Sequence, residues 1–326
     1  MHLVNHLEHR ELRSDSTLHV CAAVTNPVRY HSRYRLARQF IRHMVETPNV
    51  SLHIIEGTFG DRHHELKNLC EELGVDYFSV PIKQEIWIKE NLLNIMMRRV
   101  IVQFDANYLG WFDADIHFRN PEWAIESIHQ LQHYAVIQPF SDAVHLTFEG
   151  GIHKHHKSFG YYSAKGIPQS PKANNPYCHP YGHTGFAWCC TREWFENCGL
   201  LDFAILGSGD AHMAYGCIGQ VQGTINQQVA EGYKHLANLW QDRAVLASDC
   251  IVGYTPGRLE HGFHGPLERS RKYASRWKIL VKYQYDPMKD IRFDHEGVVH
   301  LIGKRGLAHA IRRYNRNRIE DSIENW

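Results

Sequence analysis

Two aspartates one residue apart, Asp113 and Asp115, carry the clearest chemical signal in this chain of 326 residues. They follow a short apolar run, Tyr108–Phe112, which predicts a buried strand with both carboxylates at its carboxyl end. Open α/β sheets bind their ligands at that end of their strands. Neighbouring carboxylates repel each other, and a divalent cation between them would relieve the repulsion. A plain acidic turn after a strand is the alternative interpretation.

The first half of the chain alternates the patterns of strands and helices. Compact apolar runs predict four buried strands, at residues 18–24, 52–55, 77–80 and 108–112. Apolar residues at helical spacing predict three intervening helices, at residues 36–44, 66–73 and 87–100. This order predicts an α/β fold with a mixed, mostly parallel sheet flanked by helices. No Gly-x-Gly-x-x-Gly follows the first strand, which disfavours an ordinary dinucleotide-binding domain.

The second half is less regular. Asn120 and Pro121 predict the start of a helix, and residues 134–138 predict a strand. Residues 141–183 show little periodicity and are rich in Gly, Ser, Pro, His and Asn, which predicts a functional loop or a disordered insertion. A strand at 186–190 and a helix at 192–197 follow. We expect a soft boundary between residues 140 and 185.

Composition excludes few classes of protein. No apolar run is long enough to span a membrane, and the first residues lack a signal-peptide pattern, so a cytoplasmic protein is expected. Eight scattered cysteines favour reduced thiols. The spacing of Cys178, His183, Cys189 and Cys190 matches no trusted zinc pattern. The net charge of +1 gives no overall nucleic-acid signature. Two basic groups near the C-terminus are either solvated faces or polyanion contacts, at residues 269–282 and 304–318.

Two later motifs join the aspartate pair: Gly207-Ser208-Gly209-Asp210 and His261-Gly262-Phe263-His264-Gly265. Together the three closely resemble GT-A nucleotide-sugar glycosyltransferases, over roughly residues 17–285. Lys89-Glu90-Asn91, residues 111–115 and the basic stretch 264–276 are similar to glycosyltransferases of bacteriophages. Some of those, like the base J glucosyltransferase of kinetoplastids, modify hydroxymethylated pyrimidines in DNA.

The resemblance implies a Mn²⁺ or Mg²⁺ ion between the aspartates and the diphosphate of a UDP-sugar donor. Asp115 would be the direct ligand, and Asp113 would touch the metal or the ribose. His264 would complete the ligand set, with His261 as the alternative, although either histidine could be a hydrogen-bonded loop residue. The ion would act as a Lewis acid that stabilises the leaving diphosphate.

Further donor contacts are expected from side chains that follow the predicted strands. Lys89 and Arg269 are candidates for sharing the charge of the diphosphate. Four others lie where this fold receives the nucleoside, although each could equally be a cap or turn residue: Asn26, Arg29, Glu56 and Asp61.

Asp210 is the candidate general base, because a carboxylate after a Gly-Ser-Gly turn at the start of a helix is held rigidly. It would take the proton of the acceptor hydroxyl and give inversion. If Asp210 is only a helix N-cap, a retaining mechanism stays open. Trp188 could stack on a sugar or an extruded base, with core packing as the alternative. Arg271 and Arg276 are the candidate acceptor-binding arginines.

These features together predict a metal-dependent glycosyltransferase that moves a sugar, glucose being favoured, from a UDP-sugar to a hydroxymethylated pyrimidine in DNA, such as 5-hydroxymethylcytosine. Residues 1–140 would form the nucleotide-sugar-binding half and residues 141–326 the acceptor-binding half of one continuous domain. No obligatory protein partner is evident, and a phage-encoded enzyme would act in the host cytoplasm. The alternative is a cytoplasmic bacterial glycosyltransferase that builds cell-surface or capsular glycan. A non-catalytic binding protein is a third possibility, which the retained aspartates disfavour.

Overall fold

A computed structural model describes residues 16–171, 180–265 and 273–322. In chain order its strands are β1 (Leu18–Thr25), β2 (Val50–Thr58), β3 (Asp76–Pro81), β4 (Tyr108–Phe112), β5 (Ile116–Phe118), β6 (Val136–Gln138), β7 (Asp142–Leu146), β8 (Ile152–Lys157), β9 (Ala187–Thr191), β10 (Gly253–Tyr254), β11 (Arg258–His261), β12 (Ile291–Phe293) and β13 (Val299–Leu301). Its helices are α1 (His31–Glu46), α2 (Lys67–Glu72), α3 (Lys89–Phe104), α4 (Trp123–Gln130), α5 (Phe159–Ala164), α6 (Arg192–Cys198), α7 (Gly209–Cys217), α8 (Glu231–Ser248), α9 (Tyr273–Lys282), α10 (Pro287–Asp290) and α11 (Arg305–Arg316). A 3₁₀ helix, Val221–Thr224, connects α7 to α8.

The central sheet has the strand order β10-β6-β9-β4-β1-β2-β3. Strand β9 runs antiparallel to its neighbours β4 and β6, and the other neighbouring pairs are parallel. The mixed, mostly parallel α/β fold is therefore confirmed. Strand β4 lies between β1 and β9, and all of its residues are buried. This central position explains why the run that precedes the two aspartates is wholly apolar.

Helices cover both faces of this sheet, as alternate residues of β1 show. Val20 and Ala22 pack in one apolar cluster with Phe40 of α1, whereas Cys21 packs in the other with Leu92 of α3. Successive side chains of a strand point to opposite faces, so β1 contacts both helical layers. Burying each large apolar side chain in these layers stabilises the fold by about 1.5–3 kcal/mol.

A second sheet, with the order β5-β11-β7-β8, holds the segment that follows the aspartates. Strand β11 pairs with β5 on one side and with β7 on the other, so that His261 lies opposite both Ile116 and His145. The amide of Gly262 donates to the carbonyl of Asp115 at 2.8 Å. A Cβ at Gly262 would lie 2.5 Å from Leu36 Cδ2, so a side chain at this position would force Leu36 to move.

Two predictions about the second half were wrong. The stretch predicted to be irregular contains β7, β8 and α5, although residues 172–179 within it lie outside the described residues. Strand β8 is an edge strand with a largely polar, exposed sequence, so it lacks the apolar alternation that would have revealed it. Helix α4 begins at Trp123 and not directly after Asn120, whose side chain accepts a hydrogen bond from the amide of Glu122 at 3.0 Å.

Within the described ranges, none of the helices has both the length and the apolar composition needed to cross a bilayer. All seven cysteines in those ranges are free thiols. Cys189 and Cys190 are buried on β9, and burial raises the pKa of both thiols well above the ordinary value. Cys178, the other cysteine of the zinc pattern considered above, lies outside the described residues.

Candidate metal and donor site

A cavity of about 930 Å³ opens beside the carboxyl ends of β1 and β4. Its volume lies within the usual range of small-molecule sites. Residues from both halves of the chain line it, and seven of the sequence-predicted site residues are among them: Lys89, Asp113, Asp115, Asp210, His261, His264 and Arg276. The assignment of donor binding to residues 1–140 and acceptor binding to 141–326 stays a prediction.

Three of these side chains form a compact triangle of possible metal ligands. Oδ2 of Asp115 lies 3.4 Å from Nε2 of His261 and 3.4 Å from Nε2 of His264, and the two Nε2 atoms are 3.3 Å apart. An ion about 2.0–2.2 Å from each atom could contact all three. The donor set therefore fits one divalent cation, with Nε2 of both histidines within reach of it. Two imidazoles favour a transition ion such as Mn²⁺ over Mg²⁺, which prefers oxygen ligands.

His145, which was not predicted, lies directly behind this triangle. Its Nδ1 is 3.2 Å from Nδ1 of His261, and its side chain is buried. A metal on Nε2 of His261 requires the ring proton to be on Nδ1, which then donates to Nδ1 of His145. Such a second hydrogen bond fixes the orientation and tautomer of a ligating histidine.

Asp113 lies in the cavity, where its carboxylate contacts a lysine. Nζ of Lys89 donates to Oδ1 of Asp113 at 2.9 Å. The backbone amide of Asp113 donates to the carbonyl of Phe186 at 2.7 Å, which fixes the turn after β4. The geometry thus separates the two aspartates, with Asp115 at the metal triangle and Asp113 at Lys89. Whether Asp113 also touches a metal or a ribose stays a prediction.

Asp210 shares the same lysine. Nζ of Lys89 lies 3.1 Å from Oδ1 and 3.3 Å from Oδ2 of Asp210. Asp210 is the second residue of α7, and the N-cap of that helix is Ser208, whose side chain makes no capping hydrogen bond. The alternative in which Asp210 serves as a plain N-cap therefore does not match the structure. Its role as a general base stays a prediction.

Close packing favours glycine at both positions of the Gly-Ser-Gly-Asp turn, and a positive φ favours it further at Gly207. Gly207 has φ +87°, and a Cβ there would lie 2.8 Å from a terminal nitrogen of Arg276. A Cβ at Gly209 would lie 2.9 Å from the carboxyl carbon of Glu90. Any side chain at either position would displace a charged group of the cavity wall, which explains the composition of this turn.

The charges around Lys89 are buried together. Burial by itself would lower the pKa of Lys89, but Asp113, Asp210 and Glu90 together raise it well above its ordinary value. Burial raises the pKa of Glu90, with Lys89 opposing the shift and Asp210 adding to it. Burial likewise raises the pKa of Asp113, against the effect of Lys89. Lys89 is consequently a permanent cation that holds two carboxylates in place.

The predicted nucleoside contacts lie outside the cavity lining. The side chain of Asn26 bonds the backbone of Tyr30 in both directions, at 2.7 and 2.9 Å, and so acts as a turn residue. Glu56 is buried and accepts hydrogen bonds from the amides of Glu65 and Leu66 and from the hydroxyl of Tyr77. For these two positions the structural alternative accounts for the contacts seen.

Arg29 and Asp61 are exposed loop residues, and Arg29 has φ +66°. Neither belongs to the cavity lining. Their predicted contact with a nucleoside is untested. Arg269 and Arg271, the remaining predicted donor and acceptor contacts on the basic stretch, lie outside the described residues.

The aromatic residue that faces the cavity near β9 is Phe186 and not Trp188. Trp188 is 2% exposed, stacks on Trp111 at 5.9 Å and donates its indole N–H to the carbonyl of Thr184, so core packing describes it. Phe186 lines the cavity and stacks on His183 at 3.9 Å. Its φ of +81° is rare for a bulky residue, and such strain is often found at functional sites.

In the described ranges, the basic residues of the C-terminal quarter are divided between buried and exposed positions. Arg276 is 6% exposed and donates to the hydroxyl of Tyr314 at 2.8 Å, beside the cavity. Arg312 and Arg316 form ion pairs with Glu85 at 3.1 and 3.3 Å. Lys304 forms an ion pair with Asp290 at 2.8 Å.

Several cavity residues were missed by the sequence analysis. Arg33 of α1, with Arg318 and Glu320 near the C-terminus, lines the cavity beside the metal triangle. Trp87, which precedes α3, lies between Arg276 and Arg318, whose guanidinium carbons are 5.9 and 5.7 Å from its ring centroid. Nothing in the local sequence around Arg33 or Glu320 marks them, because their contact joins residues 287 positions apart.

Comparisons with known proteins find only low sequence identity between this chain and the solved structures described below. No protein-family model and no curated protein matches the chain. A protein described as a nucleotide-diphospho-sugar transferase, from Desulfovibrio desulfuricans, is 12% identical with a TM-score of 0.35, over 75% of this chain and 81% of its own.

Two further solved structures have similarly low sequence identity and TM-score. A mannosyltransferase from Pyrobaculum calidifontis, solved with GDP-mannose and Mn²⁺, is 12% identical with a TM-score of 0.44, over 91% of this chain and 69% of its own. The inositol-1-phosphate CTP transferase of T. maritima is 8% identical with a TM-score of 0.37, over 81% of this chain and 96% of its own. The function of this chain therefore has to be argued from its own side chains.

Proposed function

We propose that this chain is a metal-dependent glycosyltransferase that moves a sugar from a nucleoside diphosphate donor to an acceptor hydroxyl. The observation that carries the proposal is the presence, in one cavity, of the Asp115–His261–His264 triangle and of the Asp210–Lys89 pair. The first fits a cation for a diphosphate, and the second supplies a carboxylate that can accept a proton.

Asp115, His261 and His264 would hold the ion, which when bound supplies Lewis-acid stabilisation of the leaving diphosphate. Lys89 adds a fixed positive charge beside them and keeps the carboxylate of Asp210 in one place. An acceptor hydroxyl next to Asp210 would transfer its proton to an Oδ atom as its oxygen attacks the anomeric carbon of the sugar. This arrangement supports the inverting outcome. The aromatic rings of Phe186 and Trp87 along the wall would help to exclude water.

UDP as the donor nucleotide and glucose as the donor sugar remain part of the proposal on the strength of the sequence resemblance. For the acceptor, the same resemblance supports a hydroxymethylated pyrimidine in DNA. One observation favours the alternative, a saccharide acceptor for cell-surface or capsular glycan. Two of the basic residues expected to contact DNA, Arg276 and Arg318, are buried and face the cavity instead of an open surface.

The test incubates the purified protein with Mn²⁺ and a panel of UDP- and GDP-sugars. Each mixture also contains either DNA with 5-hydroxymethylcytosine or 5-hydroxymethyluracil, or a panel of saccharide acceptors, and products are read by mass spectrometry. A hexose-sized mass gain on one acceptor class identifies donor and acceptor together. The Asp115→Asn variant is the matched control and should give no gain. Absence of both transfer and donor hydrolysis in the wild-type protein would refute the proposal.

A further inference from the structure

The last described residues of the chain fold back onto the cavity and contact the start of α1 and Gly265, which follows His264. Asp321 accepts hydrogen bonds from the backbone amides of His31 and Ser32, both at 2.8 Å, and so caps the start of α1, which has no capping side chain of its own. A Cβ at Gly265, next to His264, would lie 2.9 Å from the carbonyl oxygen of Ile319. The segment 318–321 thus contacts both the start of α1 and the backbone next to His264.

This segment brings two guanidinium groups together around one buried carboxylate. Glu320 is 1% exposed and lies 2.5 Å from Nε of Arg33 and 2.6 Å from Nε of Arg318. Nη2 of Arg33 also donates to Glu320 at 2.8 Å, and its Nη1 donates to the carbonyl of Thr25 at 2.7 Å. One carboxylate holds both arginines, and all three side chains line the cavity.

The charges of Arg33, Arg318 and Glu320 interact strongly. Burial and the nearby charges of Arg33 and Arg276, opposed by Glu320, lower the pKa of Arg318. Burial opposes the ionised form of Glu320, but Arg33 and Arg318 hold its pKa well below the ordinary range. The two guanidiniums carry one positive charge more than Glu320 balances, and like charges packed together away from water repel each other.

Arg33 can also donate further. Its hydrogen bonds to the described residues use three of its five N–H groups, which leaves one on each terminal nitrogen. Its guanidinium interacts electrostatically with Asp115, and Glu320 does so with His264, so the group borders the metal triangle. One side of the cavity can therefore hold a cation, and the adjoining side presents guanidiniums in the planar geometry that suits phosphate.

We propose that the segment Arg318–Asp321 completes a diphosphate-binding site, in which Arg318 and Arg33 contact the phosphates, Glu320 positions the two arginines, and Asp321 anchors the segment on α1. This inference rests on the proposed function and assigns its diphosphate contacts to residues from the far end of the chain. The distal phosphate would bridge the metal side and the arginine side, so a nucleoside monophosphate would make little use of the arginines.

The experiment measures binding of UDP, UMP, GDP and GMP by calorimetry in the presence of Mn²⁺, for the wild-type protein and the variants Arg318→Gln and Asp321→Ala. Arg313→Gln is the control, since Arg313 is exposed on the adjoining helix α11. Loss of charge-assisted hydrogen bonds should weaken diphosphate binding about 10- to 100-fold in Arg318→Gln, with monophosphate binding changed less than about threefold. Asp321→Ala should show the same selective loss, and Arg313→Gln should match the wild type.

Two outcomes would overturn the inference while the proposed function stands. One is a wild-type protein that binds a diphosphate which Arg318→Gln binds equally well. The other is an equal loss of monophosphate and diphosphate binding with a fall in Tm, as a purely structural clamp predicts. A wild-type protein that binds neither diphosphate would overturn the proposed function and this inference together.

Discussion

Lys89 and Asp113 are joined by a hydrogen bond of 2.9 Å from Nζ to Oδ1, and this contact gives Asp113 a different partner from that of the neighbouring Asp115. Asp113 contacts Lys89, whereas Asp115 lies 3.4 Å from both His261 and His264. A single residue between them is enough to send the two side chains to different partners, because the chain turns immediately after β4.

Metal binding should therefore distinguish the two aspartates. Asp115→Asn removes a proposed direct ligand and should weaken Mn²⁺ binding more than about 100-fold, because even outer contacts of metal sites are worth about 10- to 100-fold. Asp113→Asn should weaken it less than about tenfold. Titration followed by electron paramagnetic resonance measures both affinities. Equal losses in the two variants would mean that both aspartates ligate the ion.

The buried histidine behind the triangle should affect the metal without touching it. His145→Phe keeps an aromatic ring against Phe186 but removes the hydrogen bond to Nδ1 of His261. We expect Mn²⁺ affinity to fall about 10- to 100-fold. The same resonance titration measures this, with the Tm recorded in parallel. Unchanged affinity in a folded variant would contradict the positioning role of His145.

Asp210 should matter for transfer and not for donor binding. Asp210→Asn retains the size of the side chain but loses the proton acceptor, so kcat should fall about 10²- to 10⁴-fold. Affinity for the nucleoside diphosphate should stay close to that of the wild type, because Asp210 contacts Lys89 and not the metal triangle. Steady-state rates and calorimetry provide the two readouts. Full activity in Asp210→Asn would show that another group takes the proton.

An added side chain at Gly209, the first residue of α7, should destabilise the protein. Gly209→Ala would place a Cβ 2.9 Å from the carboxyl carbon of Glu90, which must move and take its contacts with Trp87 and Lys89 along. Overpacking of this kind costs about 1–3 kcal/mol of unfolding free energy. Thermal denaturation and transfer rates measure the effect. Gly151→Ala is the control, because a Cβ there meets no atom closer than 3.4 Å. Equal behaviour of the two variants would refute this packing argument.

Glu90 should make stability depend on pH. Burial raises its pKa above the ordinary value of 4.5, so the folded state keeps this proton to a higher pH than the unfolded state does. Between the two pKa values the folded state binds more protons, and stability consequently falls as pH rises. Glu90→Gln keeps an acceptor for the indole N–H of Trp87 and removes the titration. The Tm of this variant relative to the Tm of the wild type should therefore rise between about pH 5 and pH 8. If the Tm of the variant and the Tm of the wild type depend on pH in the same way, the raised pKa of Glu90 is contradicted.

The parts of the fold that the sequence predicted are those with strong local patterns. Strand β4 was predicted with its observed bounds, because a central strand is buried on both faces and is apolar throughout. Helix α1 was predicted from Leu36, Phe40 and Met44, all buried on its inner face. Strands β7 and β8 were missed, because β8 is an exposed edge strand rich in histidine and lysine.

The candidate site shows the same limit. Asp115, Asp210, His261 and His264 stand in short motifs with glycines that the packing requires, and such motifs can be recognised locally. Arg33, His145 and Glu320 are brought to the site by contacts between distant parts of the chain. Arg33 contacts Glu320, and His145 contacts His261. No pattern in a single sequence encodes which distant residues meet, so these three could be found only in the folded structure.

The most direct test of the account is a calorimetric titration of the wild-type protein with UDP and GDP, with and without Mn²⁺, repeated on Asp115→Asn. The account predicts that one of the two nucleotides binds tightly with Mn²⁺ and at least about tenfold more weakly without it. Asp115→Asn should bind that nucleotide with the weak affinity under both conditions. Absence of binding by the wild-type protein, or equal binding with and without Mn²⁺, would contradict a metal-dependent diphosphate site and with it the proposed glycosyltransferase.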